Sequence, residues 1–104
     1  MPAYGSTEFD TWMDGWTQYT QRLVDGGHFV SGASLQPTAT ATTLRRSSGP
    51  TQIVDGPFME TKEQLGGFYI IAVADLDEAL ALAEAMPVAQ GSVEVRPIAV
   101  RPGA

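Results

Sequence analysis

The chain has 104 residues, 43% of them hydrophobic and 17% charged, with a formal net charge of −6 and no cysteine. That length suits a single domain over residues 1–104 with one core, and the lack of thiols excludes disulfides, thiolate catalysis and cysteine-bound metal centres. Six basic residues, adjacent only at Arg45 and Arg46, leave a surface that a phosphate backbone repels, which argues against direct nucleic-acid binding.

No run approaches the roughly 20 apolar residues of a membrane span, and the first residues lack both the basic start and the apolar run of a secretory signal. A cytoplasmic protein with no membrane partner is expected. Thr7 followed by Asp10 has the form of a helix capping box, and Phe9, Trp12, Met13, Trp16, Tyr19, Thr20 and Leu23 then recur at three- and four-residue steps. This pattern predicts an amphipathic helix to about Asp25, stopped by Gly26 and Gly27. Trp12, Trp16 and Tyr19 at this spacing read as core rather than as an aromatic pocket. Gly15 costs on the order of 1 kcal/mol against Ala in a helix and marks a place where another backbone comes close.

From His28 to Leu35 an extended piece is broken by Gly32. Thr38 to Arg46, rich in β-branched Thr, and Thr51 to Val54 read as two strands joined by a turn at Ser47 to Pro50, a hairpin over residues 38–55. Phe68 to Val73 is apolar at every position, so both of its faces require cover. Asp75 with Glu78 repeats the capping arrangement, and Leu76, Ala79, Leu80, Ala83 and Met86 form a second helical face before Pro87 and Gly91. Ser92 to Val100 alternates as a strand, with Val93 and Val95 on one side and Glu94, Arg96 and Ile98 on the other. Two helices and several strands give an α+β class. The helices cover one face of such a sheet, and a second copy covers the other, so a homodimer is expected.

Chemistry concentrates between Asp55 and Gly67, where four ionisable side chains lie between two strands. Gly56 and Pro57 make a rigid corner that holds the Asp55 carboxylate, as an acid–base group or as a cap for the turn that follows. Asp55, Glu60 and Lys62 are the candidate catalytic residues, and His28, Phe58, Glu63 and Arg96 the candidate ligand contacts. Each has a plainer reading. Lys62 between acids balances charge, His28 just past a helix end makes a cationic contact with that end, and Arg96 is a paired surface ion. Gly66 and Gly67 let a ligand or a neighbouring backbone approach, or release the turn. A lone histidine without cysteine makes a metal site improbable, and the chain has no nucleophile elbow, Walker loop or dinucleotide fingerprint, so neither metal nor organic cofactor is expected.

The run Asp55-Gly-Pro-Phe-Met-Glu-Thr-Lys-Glu-Gln-Leu-Gly-Gly-Phe-Tyr69 strongly resembles the signature of the DGPF branch of YCII-related proteins. Leu35 to Thr43 before it, and Asp75 to Ala79 and Val93 to Pro97 after it, extend the resemblance over about residues 22–98. It implies a ferredoxin-like α+β sandwich that dimerises into an α/β barrel. Relatives in the wider group use a His and Asp pair in a cleft, and some act without cofactors on small ring compounds. His28 lies outside the first helix, where the family histidine is expected, so that dyad is not carried over. The resemblance also implies a loose link to transcription regulation beside alternative sigma factors.

Family members open with an apolar strand, whereas Met1 to Ser6 is short and polar. Either the natural chain starts earlier, or the sheet closes differently, with a strand borrowed from a partner chain or with Ile98 to Val100. Two functions follow from the sequence. One is a dimeric domain that binds a small molecule or a protein partner at a cleft near the loop; the alternative is a cofactor-free acid–base enzyme on a small ring substrate.

Overall fold

A computed structural model describes residues 2–59 and 64–100. Among them are two α-helices and two small two-stranded sheets, an α+β arrangement consistent with a ferredoxin-like fold. Contacts divide the chain into two compact units, Met1–Val30 with Ile71–Ala104, and Ser31–Ile70.

In the first unit, α1 spans Thr7–Asp25. Its cap is Ser6 rather than Thr7: Ser6 has extended backbone, and its Oγ accepts from the Phe9 N–H at 3.0 Å while donating to the Ala3 carbonyl at 2.7 Å. Glu8 and Asp10 then fall in the first turn, where their charges favour the positive helix end. The stop at the glycine pair is a Schellman turn. Gly27 takes φ +75°, its N–H bonds the Val24 carbonyl, and the His28 N–H reaches back to the Leu23 carbonyl at 2.9 Å.

The second helix, α2, covers Leu76–Glu84. Its capping is reciprocal, as the sequence indicates: Asp75 accepts from the Glu78 N–H at 2.9 Å, and the Glu78 carboxylate accepts from the Ala74 N–H at 3.0 Å. It ends before Met86, because a residue preceding proline is disfavoured in helical geometry. The Tyr19 hydroxyl donates to the Leu82 carbonyl at 2.7 Å and links the two helices. Among the described residues Leu23 is wholly buried, and Tyr19 and Ala79 are the other buried apolar residues. Along α1 the rings of Phe9, Trp12, Trp16 and Tyr19 follow one another at centroid distances of 5.8, 6.2 and 6.2 Å. Trp12 and Trp16 are half-buried on the side that carries Tyr19, which agrees with a core stripe. A Cβ at Gly15 would meet the Pro87 ring at 3.7 Å, so the close neighbour on that side is a side chain and not a backbone.

In the second unit, β2 (Thr42–Arg45) and β3 (Gln52–Asp55) pair antiparallel, with Thr42 opposite Asp55 and Arg45 opposite Gln52. The expected strand from Thr38 loses its first residues to a 3-10 turn, Thr38–Thr40. Pro37 fixes the entry, and the Thr40 hydroxyl donates to the Pro37 carbonyl at 2.7 Å, a local bond that competes with strand formation. The remaining strands are β1 (Phe29–Ser34) and β4 (Gly67–Ile71), which pair with each other. At one end of that pairing the Leu35 N–H bonds the Gly66 carbonyl at 2.8 Å. Gly32 and Gly67 let these backbones approach. A Cβ at Gly32 would meet the Phe68 carbonyl oxygen at 2.9 Å, and one at Gly67 would meet the Ala33 oxygen at 2.7 Å.

The expected C-terminal strand is not formed. Residues 92–100 have no ladder partner among the described residues, and a strand is defined by its partner, not by its alternation alone. No helix is long and apolar enough to cross a membrane among the described residues.

Candidate functional site

The corner at the end of β3 is fastened through backbone groups. Gly56 adopts φ +96°, which its lack of a Cβ permits, its N–H bonds the Ala41 carbonyl at 2.7 Å, and the Thr43 hydroxyl donates to the Gly56 carbonyl at 2.6 Å. One turn further on, the Arg45 guanidinium reaches the Phe58 carbonyl at 3.4 Å, and the Gln64 amide donates to the Met59 carbonyl at 3.1 Å. Strand β2 thus carries the two side chains that hold the corner in place. The Asp55 carboxylate takes no part in this: it is exposed and makes no hydrogen bond to a described residue. Asp55 is therefore not the cap of its own turn.

Beside the corner, within the same unit, lies a concavity of about 720 Å³. Leu35, Pro37, Leu44, Phe58, Met59 and Leu65 supply its apolar wall, and Thr38, Thr40, Thr42 and Thr43 contribute to the rest. About half of it is open to solvent, so it is a hollow in the surface and not an enclosed cavity. No carboxylate and no cationic side chain is among the described lining residues, so the contacts on offer are apolar surface and hydroxyl groups. Phe58 stands in this wall. Glu60, Lys62 and Glu63 lie outside the described residues.

The other candidates belong to the first unit. Nδ1 of His28 lies 2.9 Å from the Ala72 carbonyl oxygen and 3.9 Å from the Glu78 carboxylate. The ring therefore turns toward the segment that leads into α2, and the bond to α1 is made by the His28 backbone instead. Arg96 pairs with Glu94, one guanidinium nitrogen lying 3.0 and 2.9 Å from the two carboxylate oxygens, in solvent. Exposed pairs of this kind contribute little stability. Among the described residues no three side chains of metal-ligating type come together.

The threonines and Leu35, Leu44 and Leu65 were not legible as site residues. Thr38 to Thr43 reads as generic strand composition, and only the fold of Pro37 to Thr40 against the corner turns it into a wall. The usable signal was Leu44, an apolar residue in a hairpin strand whose neighbours are threonine and arginine.

The pattern of the YCII-related domain matches residues 5–100. An uncharacterized protein of Rhizobium meliloti (strain 1021) is 45% identical over 105 aligned positions, which cover 97% of this chain and 85% of that protein.

Proposed function

For this chain, which belongs to the YCII-related family, we propose a non-catalytic role: a homodimeric domain that binds a small, largely apolar molecule in the concavity beside the Asp55-Gly56-Pro57-Phe58 corner. The observation that carries this reading is the composition of that wall, leucine, phenylalanine, methionine and threonine, without a charged group among the described residues. Apolar ligands bury their surface against such a wall and use hydroxyl groups for orientation.

The homodimer is supported by what the single chain leaves open. Phe68 in the strand that is apolar at every position is 43% exposed, and Ile53 is 73% exposed. Apolar strand surface of this kind is what a second copy would cover.

A link to transcription, on this reading, runs through ligand sensing and a protein contact rather than through DNA, given the net charge of −6. Acid–base catalysis is the second reading. It is favoured by one observation, an exposed Asp55 carboxylate on a rigid corner whose next residues, Pro57 and Phe58, line the concavity.

The test is a titration with small aromatic and aliphatic probes, followed by fluorescence or calorimetry, on the natural protein and on Leu44→Glu. Leu44 is half exposed, so the variant folds, and its carboxylate in the wall abolishes binding of apolar probes. Probe binding that is indifferent to Leu44→Glu contradicts the proposed site. Turnover of a small ring compound that is lost in Asp55→Asn would favour the second reading.

A further inference from the structure

Sulfur enters this chain only as methionine, four residues with no cysteine among them. An oxidant that reaches the protein therefore meets thioethers and no thiol. Of the methionines described, Met13 lies on α1, Met86 just beyond α2, and Met59 in the apolar wall of the concavity. Met59 is 55% exposed and Met13 39%. Other residues fasten the backbone at Met59: the Arg45 guanidinium reaches the Phe58 carbonyl at 3.4 Å, and the Gln64 amide donates to the Met59 carbonyl at 3.1 Å. Both peptide groups that flank Met59 are thus held without its side chain, which stays open to solvent.

We propose that Met59 is a reversible oxidation site, through which a hydroperoxide closes the concavity to apolar ligands. The proposal rests on the ligand-binding reading above and gives that same site its regulation. In the step, a lone pair on Sδ attacks the distal peroxide oxygen, an S–O bond forms and the O–O bond breaks. The transferred oxygen gives its proton to the departing hydroxide, or to the alkoxide of an organic hydroperoxide, which leaves as water or alcohol. Sulfur loses two electrons, and the peroxide gains them. The sulfoxide sets a polar group among leucine, phenylalanine and proline side chains, where an apolar ligand must strip it of water. Because Arg45 and Gln64 hold the neighbouring peptide groups, the change acts on the wall and leaves the fold in place. Return to the thioether takes two electrons and two protons from a dithiol through a methionine sulfoxide reductase, with water as the second product.

The probe for the test is benzyl alcohol, an apolar ring with one hydroxyl. It is titrated calorimetrically into the full chain before hydrogen peroxide treatment, after it, and after repair by methionine sulfoxide reductases with dithiothreitol. Peptide mass spectrometry follows the oxygen at each methionine, and circular dichroism follows the fold. Oxidation at Met59 weakens probe binding about fivefold or more, repair restores it, and the spectrum is unchanged. Met59→Leu, compared with its own affinity before peroxide, shows no change, whereas Met13→Leu loses affinity as the natural protein does. A natural protein that binds no probe overturns the ligand reading and this proposal with it. Probe binding that survives oxidation of Met59, an equal loss in Met59→Leu, or unfolding on oxidation overturns the oxidation site and leaves the ligand reading standing.

Discussion

Gly67→Ala probes how closely β1 and β4 approach. The new methyl group would sit 2.7 Å from the Ala33 carbonyl oxygen and 3.3 Å from the Ser34 Cα, both backbone atoms that no side-chain rotation can move aside. Ordinary C···O contacts begin near about 3.3 Å, so the strands must part by roughly half an ångström or more. Overpacking of this kind costs about 1–3 kcal/mol, and the reduced freedom of the unfolded chain returns about 0.4–1 kcal/mol. The net loss is about 1–2 kcal/mol, a fall in Tm of roughly 5–10 °C for a domain of this size. Gly15→Ala is the control, because its Cβ meets only the Pro87 ring at an ordinary 3.7 Å within a helix. That change stabilises by about 0.5–1 kcal/mol. Both are read by thermal and urea unfolding followed by circular dichroism. A Gly67→Ala protein as stable as the natural one would refute the close approach of the two strands.

Three further outcomes follow from the same contacts. Leu23→Ala empties the one side-chain position that is wholly buried among the described residues and lowers stability by about 2–5 kcal/mol in urea unfolding, enough to leave much of the chain unfolded if the parent is marginal. Asp75→Ala removes the acceptor for the Glu78 N–H and costs about 1 kcal/mol, with loss of amide protection in the first turn of α2 as the local readout. Asp55→Ala changes stability by less than about 0.5 kcal/mol, because the carboxylate holds nothing among the described residues, and it leaves probe binding in the concavity unchanged. A large loss of stability in that last variant would mean that the carboxylate fastens the corner after all.

Much of the first unit was legible because its signals are local. The three- and four-residue steps from Phe9 to Leu23 need only one face to bury, and the glycine pair ends α1 by a mechanism written in two residues. Asp75 and Glu78 marked the start of α2 for the same reason. The start of α1 was misplaced by one residue since Ser6 and Thr7 are both competent caps, and only the Phe9 N–H decides between them. Strand features were read less well, because a strand depends on what lies beside it. Thr38 to Thr40 has strand composition but is drawn into a local turn by the Pro37 carbonyl, and residues 92–100 have strand alternation without a ladder.

At the site, the corner was legible from Gly56 and Pro57, and the approach of a neighbouring backbone was one of the alternatives that Gly66 and Gly67 left open, the one found at Gly67. The Asp55 side chain was less informative than its position suggested. The bonds that hold the corner come from Ala41, Thr43 and Arg45, which are 10 or more residues away in the chain and carry no motif of their own. The candidates His28 and Arg96 lie in the other unit from Asp55 and Phe58, a division that no local pattern encodes.

The proposed homodimer supplies the second copy that would cover what one chain leaves bare. Sedimentation equilibrium at micromolar concentration tests it directly. A mass close to twice 11.1 kDa is the expected result, and a stable, cooperatively folding species of 11.1 kDa at every concentration would contradict it.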